Sequence, residues 1–366
     1  MNRRLESFHS LLKGGTPDRV IWTADITYWI EGMRVRGSAN PSWSTEKGYL
    51  ELCRELRIMP YYWYDKFWLG EPVYDDTVRV TVEARGTAAR RSWVTSAGTL
   101  TEELTFMKAS SSSAHTLYPV ADRRDLDVFL YLLEHRELRP SNIEDYLVRV
   151  ELWKTFDGIP SIAMPRSPLA SFFYEWAGVE NAVYLMVDYP GIIRKIFSIM
   201  DRQEEPIIDA VCRLAPPVVH FADNLSGDNF TGLYDDFMRA GHRKRIQRFH
   251  DAGIACAVHL DGKVSGLLPK LAAAGFDAIE ALTPEPGGDL PVEMMREIAQ
   301  NNRVILWGGI PGILFAPPYT WKDMRAHVHR VLDTWKGTPF ILGVADQVPP
   351  DGDIDFCRRI ADLIEL

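Results

Sequence analysis

Short apolar runs, each closed by a polar or glycine-rich corner and followed by a helical stretch, recur through the second half of the chain. They occupy 218–224, 254–262, 276–282, 304–309 and 340–346. Strands alternating with helices at this spacing predict a parallel sheet covered by helices. Earlier in the chain the pattern predicts a helix over 3–13 closed by Gly14 and Gly15, then a strand ending near Asp25. A helix is expected over about 45–57. From 77 to 107 apolar and polar positions alternate, with Ala97, Gly98 and Thr99 as a turn, which predicts an inserted antiparallel β-ribbon. Helices are expected over 122–135 and 142–156, a strand over 161–168, and two helices over 169–186 and 190–213, divided at Pro190. Seven or eight strands result, the number for a closed barrel.

The expected fold is therefore α/β: a (β/α)8 TIM barrel over 1–366 as one domain, with an N-terminal helix and the ribbon as an insertion. With 366 residues, 46% of them hydrophobic and 25% charged, the chain can bury a full core. The formal charge of −9 and the absence of a basic run argue against a nucleic-acid partner. The chain opens on a charged amphipathic stretch, and no apolar run is long enough to span a bilayer, so neither a membrane partner nor export is expected. A cytoplasmic protein is the expectation. Cys53, Cys212, Cys256 and Cys357 show no C-x-x-C spacing and read as reduced core residues.

Chemistry in such folds sits at the C-terminal ends of the strands. In 254–262, His259 and Asp261 are two apart and share one face at a strand end. Asp25, Asp223, Glu280 and Asp346 are brought toward the same mouth. One imidazole and several carboxylates suit zinc, iron, manganese or cobalt. The same set suits acid–base work, with mutual repulsion raising one carboxylate's pKa. Plainer roles stand beside these: Asp261 could cap the helix after Gly262, and Asp223 with Asn224 could close a turn. The parity of Glu280 leaves its facing open, and Cys256 has the opposite parity to His259. Trp307, Gly308 and Gly309 could let a ligand approach bare backbone. Arg166 is a candidate for a substrate carboxylate, or a solvated surface residue. The aromatics of 26–75 read as core or as a covered pocket.

Several motifs resemble the uroporphyrinogen decarboxylase superfamily, which includes zinc methyltransferases that work with corrinoid proteins. They are the opening helix with Thr16-Pro-Asp-Arg19, the Ala222-Asp-Asn224 corner, His259-Leu-Asp-Gly262, Glu280-Ala-Leu-Thr-Pro-Glu-Pro286, Trp307-Gly-Gly-Ile310 and Gly343-Val-Ala-Asp-Gln-Val-Pro-Pro350. The resemblance implies a TIM barrel. Decarboxylases of the family grip porphyrinogen carboxylates with an N-terminal Met-Arg-Gln-Ala-Gly-Arg type of motif. Here the matching stretch, 21–30, lacks arginine, and Arg34 and Arg36 do not restore the spacing. Porphyrin decarboxylation is not expected.

The family's methyltransferases hold zinc with a His-x-Cys pair and a later Cys. His259 matches the histidine, Asp261 stands at the first cysteine, and Asp346 stands at or near the second. What the resemblance implies is a divalent metal (zinc, or iron or manganese) on His259, Asp261 and Asp346. Asp223, Glu280 and His259 would act in catalysis, with Tyr28, Trp29, Tyr64, Arg166, Trp307, Gly308 and Gly309 around the substrate. The implied partners are a small methylated substrate, a corrinoid carried by a partner protein, and a second copy in a homodimer. Two alternatives are a decarboxylase or lyase acting on a carboxylated substrate and a non-catalytic binding barrel.

Overall fold

A computed structural model describes residues 3–365. The chain divides into two compact units, one formed by the chain up to Trp68, Asn142–Met164 and the chain from Leu214 onward, the other by Leu69–Ser141 and Pro165–Arg213.

The first unit is built on a parallel sheet of seven strands: β1 (Trp22–Thr23), β2 (Ile162–Met164), β3 (Val218–Ser226), β4 (Ala255–Asp261), β5 (Ala278–Leu282), β6 (Ile305–Pro311) and β7 (Phe340–Ala345). From β2 to β7 each strand pairs with its successor, and β7 pairs with β1. Regular strands therefore number seven where an eight-stranded barrel is expected. Between β1 and β2 runs the irregular segment 58–68. The Met59 amide donates to the Trp22 carbonyl, and the Ser161 and Ala163 amides donate to the carbonyls of Tyr61 and Phe67. Pro60 has no N–H to offer a ladder, which helps keep this segment from reading as a strand.

The inward face carries Val218, Ala255, Ala257, Ala278, Ile305, Trp307 and Ile341, all buried. Against them packs the helix Arg3–Leu12, through Leu5, Phe8 and Leu11, spaced three apart on one stripe. Full burial of Phe8 contributes about 2–3 kcal/mol. The helix covers the beginnings of the strands, leaving their opposite ends for chemistry. The helix expected over 45–57 is Glu46–Glu55, started by Thr45, whose hydroxyl accepts from the Gly48 amide.

In the second unit the expected ribbon is a four-stranded antiparallel sheet: Arg79–Arg85, Ala88–Thr95, Gly98–Met107 and Ser112–Leu117. It continues beyond 107 by one strand. The helix expected over 190–213 is divided into Pro190–Gln203 and Glu205–Leu214. Pro206 explains the break, since its ring and missing N–H forbid an uninterrupted helix there. The helix expected over 169–186 is likewise divided, into Pro168–Ser171, a π turn Phe172–Ala177 and Val179–Asp188, with Gly178 at φ 75° before the last. Among the described residues no helix is long and apolar enough to cross a membrane.

Candidate metal centre

Parallel pairing of β4 with β5 sets His259 opposite Glu280. Neighbours in register share a face, and His259 Nδ1 stands 2.6 Å from Glu280 Oε2. Glu280 is buried at 5% exposure, and its other oxygen accepts from the Tyr61 hydroxyl at 2.9 Å. An ionised Glu280 can only accept, so Nδ1 carries the proton and Nε2 faces away.

Nε2 is buried and has no hydrogen-bond partner. It lies 3.6 Å from Asp261 Oδ2 and 3.8 Å from Asp346 Oδ1. One ligand atom from each of His259, Asp261 and Asp346 lies within 4.8 Å of the other two. Donors on a tetrahedral zinc, bonded at about 2.0–2.2 Å, stand roughly 3.3–3.6 Å apart. The three groups fit a divalent cation with little movement. A metal-binding histidine whose other nitrogen is held by a carboxylate is the usual arrangement around such ions.

Backbone conformation aims these groups. Asp346 follows β7 at φ 64°, and Ala281, next to Glu280, sits at φ 64° where the β5–β6 register shifts. Asn224, at φ 50°, marks a similar shift between β3 and β4. Positive φ at a non-glycine residue costs on the order of 1–3 kcal/mol.

Electrostatics follow from burial and mutual charge. Burial opposes a charge on His259, but Glu280 and Asp261 outweigh it and raise its pKa well above the ordinary value. Burial would raise Glu280, yet His259 and the Tyr61 hydrogen bond hold it low. Asp346 is raised to about 6 by loss of solvent, with Asp261 and Glu280 adding to the rise and His259 opposing it. Asp25 is raised to about 7, chiefly by burial, although its Oδ1 accepts from the amide and hydroxyl of Thr27. Charges on Asp346 and Glu280 contribute to that rise. His220, 4% exposed among the rings of Tyr61, Phe67 and Trp307, is lowered to about 4 by burial and stays neutral.

The structure brings together His259, Asp261, Asp346 and Glu280. Asp223 lies elsewhere: it is on the outward face of β3, where His242 Nε2 donates to it at 2.9 Å. Tyr234 reaches the other nitrogen of His242 at 3.2 Å. Trp307 faces inward but is 1% exposed, and its indole N–H donates to Thr23 Oγ1 at 2.8 Å. Gly308 and Gly309 are closely packed. A Cβ on Gly308 would stand 2.6 Å from the Leu282 carbonyl oxygen, and one on Gly309 would stand 3.0 Å from the Trp335 ring. Trp29 is buried and donates to the Gly352 carbonyl, while Tyr28 on the same helix, Thr27–Val35, is half-buried. The Tyr64 side chain lies outside the described residues. Arg166 belongs to the second unit, where it pairs with Glu175 at 2.8 Å. Tyr61, absent from the sequence-derived set, is the addition the structure makes; a buried tyrosine's need for a hydroxyl partner is the signal that points to it.

No curated protein matches the sequence. Among solved structures, a methyltransferase from Methanosarcina mazei superposes with a TM-score of 0.64 at 15% identity, covering 99% of this chain and 98% of that one. A B12-independent methionine synthase from Shewanella sp. W3-18-1, solved with selenomethionine, aligns at TM-score 0.45 and 12% identity over 72% of this chain and 74% of that one. The first likeness bears on fold alone. The profile of the family described as uroporphyrinogen decarboxylase (URO-D) matches residues 147–365, more than half of the chain. The chain belongs to the uroporphyrinogen decarboxylase family.

Proposed function

We propose that this protein is a metal-dependent methyltransferase that exchanges a methyl group between a small oxygen-bearing substrate and a corrinoid carried by a partner protein. In this reading segment 58–68 serves as the eighth stave of a TIM barrel, and the metal centre occupies the barrel's C-terminal mouth. The observation that carries the proposal is the orphaned Nε2 of His259, aimed between Asp261 and Asp346 while Glu280 holds Nδ1.

A divalent cation on these residues, zinc first and iron or manganese with the same donors, supplies a Lewis acid that makes a methyl-bearing oxygen a better leaving group. Two carboxylates and an imidazole are harder donors than thiolates, which favours an oxygen substrate over a thiol. Glu280 fixes the His259 tautomer, and Tyr61 fixes Glu280. When the methyl group departs, its bonding pair stays on the substrate oxygen. Asp25, its pKa raised to about 7 chiefly by burial, would supply the proton that oxygen needs. Phe67 packs with Ala163 and Ala222 beside the half-buried Tyr62 and Trp68, an aromatic wall suited to an apolar methylated compound.

The test is to offer small O-methylated compounds with reduced cobalamin and follow the absorbance of methylcobalamin. Formation that disappears in His259→Ala supports the proposal; equal formation in that variant contradicts it.

The raised Asp25 and Asp346 favour one further reading. In a metal-free decarboxylase, either acid would protonate the carbanion left when carbon dioxide departs. Carbon dioxide release unaffected by chelation would distinguish it.

A further inference from the structure

The strand that carries His259 also carries Cys256, three residues earlier and therefore on the opposite face. Cys256 is fully buried, near the beginning of β4. His250, in the last turn of the helix Arg239–Asp251, and Asp277, the residue before β5, converge on it. One ligand atom from each of His250, Cys256 and Asp277 lies within 4.8 Å of the other two. Beside them opens a cavity of about 440 Å³, lined by His250, Asp277, Ala255, Ile254, His9 and Lys13 among others.

We propose that His250, Cys256 and Asp277 form a second divalent metal site, of zinc type, at the N-terminal end of the sheet. It is independent of the methyl-transfer reading. A thiolate, an imidazole and a carboxylate are the donor types of zinc, and a fourth position would be filled from the cavity by water or a small anion. Tetrahedral zinc with bonds of about 2.0–2.3 Å places its donors roughly 3.3–3.8 Å apart. His250 Nε2 and Asp277 Oδ2 are 2.8 Å apart, joined by a proton that would move to Nδ1 through solvent when Nε2 takes a metal. Binding would widen that pair slightly and draw the thiol in, releasing the cysteine proton. Asp277 is already oriented, since the same oxygen accepts from the Cys256 amide at 2.7 Å. His250 and Asp277 side chains are 36% and 31% exposed, which gives the ion a way in. The site would tie the end of one helix to two adjacent strands.

Cobalt(II) separates this site from the one at His259, because only the Cys256 site contains sulfur. Titration of the full chain with cobalt should produce a thiolate-to-cobalt charge-transfer band in the near ultraviolet. The band should vanish in Cys256→Ser and weaken at least tenfold in apparent affinity in His250→Ala, at a side chain 36% exposed, with circular dichroism confirming that each variant is folded. In His259→Ala it should persist. No such band in the unmodified protein, or a band that survives Cys256→Ser, overturns the proposal. Equal total cobalt in the unmodified protein and in His259→Ala, with the band intact, would instead count against the proposed function.

Discussion

Glu280 and His259 are register partners on adjacent parallel strands, and their pairing brings a buried carboxylate 2.6 Å from Nδ1 of the imidazole. The contact settles which nitrogen can bind a ligand. Under the proposed function Glu280 would be a positioning residue, its loss felt at a metal on Nε2 that it does not touch. Glu280→Gln keeps one acceptor oxygen for Nδ1–H and turns an NH2 donor toward the Tyr61 hydroxyl, and it carries no charge. Metal affinity is expected to fall about 10–100-fold with the fold intact. Competition with a chromophoric chelator measures this, and unchanged affinity would remove Glu280 from the centre.

Asp25 gives a pH prediction. Its folded pKa, about 7, is above the ordinary aspartate value, so the folded state holds the proton longer than the unfolded chain does. Stability from this group is fully present below the unfolded pKa and is lost as pH rises through the folded one. Asp25→Asn cannot ionise and retains an acceptor for Thr27. It should therefore stabilise the protein more at pH 8 than at pH 5, by a few kcal/mol at most, while slowing turnover. Thermal melts at the two pH values test it. An equal change at both would contradict the assignment.

Asp223 belongs to the packing behind β3. Asp223→Ala leaves His242, itself fully buried, without its carboxylate. The expected loss is about 1–3 kcal/mol in urea unfolding, the cost of leaving a buried donor unpaired. Metal content per folded molecule should not change. Loss of metal at unchanged stability would return Asp223 to the centre.

Gly308 has φ 138°, and a Cβ there would stand 2.6 Å from the oxygen and 2.7 Å from the nitrogen of Leu282. Gly308→Ala should lose on the order of 2–4 kcal/mol through strain and the clash with β5. A variant that melts like the parent but binds substrate poorly would instead support a role in ligand approach.

The two-residue spacing of His259 and Asp261 exposed half of the centre to direct reading, because a strand's pleat fixes which residues share a face. Asp346 was legible as the first polar residue after an apolar run. Glu280 stood among the candidates with its facing open, because that facing depends on register with β4, a non-local quantity. Asp223 shows the converse: alternation along Val218–Ser226 sets it with Phe221 on the outward side, yet its place beside a corner reads like a strand end. Tyr61 sits in a stretch with no periodicity, where Pro60 and a run of aromatics hide the hydroxyl that reaches Glu280. Helix breaks at Glu204 and within 168–178 depended on Pro206 and on a π turn that apolar spacing does not reveal.

Elemental analysis of protein purified without added metal or chelator, beside His259→Ala prepared identically, bears most directly on the metal centre. About one equivalent less zinc, iron or manganese is expected in the variant. Equal metal content in the two, or none in either, would contradict a metal centre built on His259, Asp261 and Asp346.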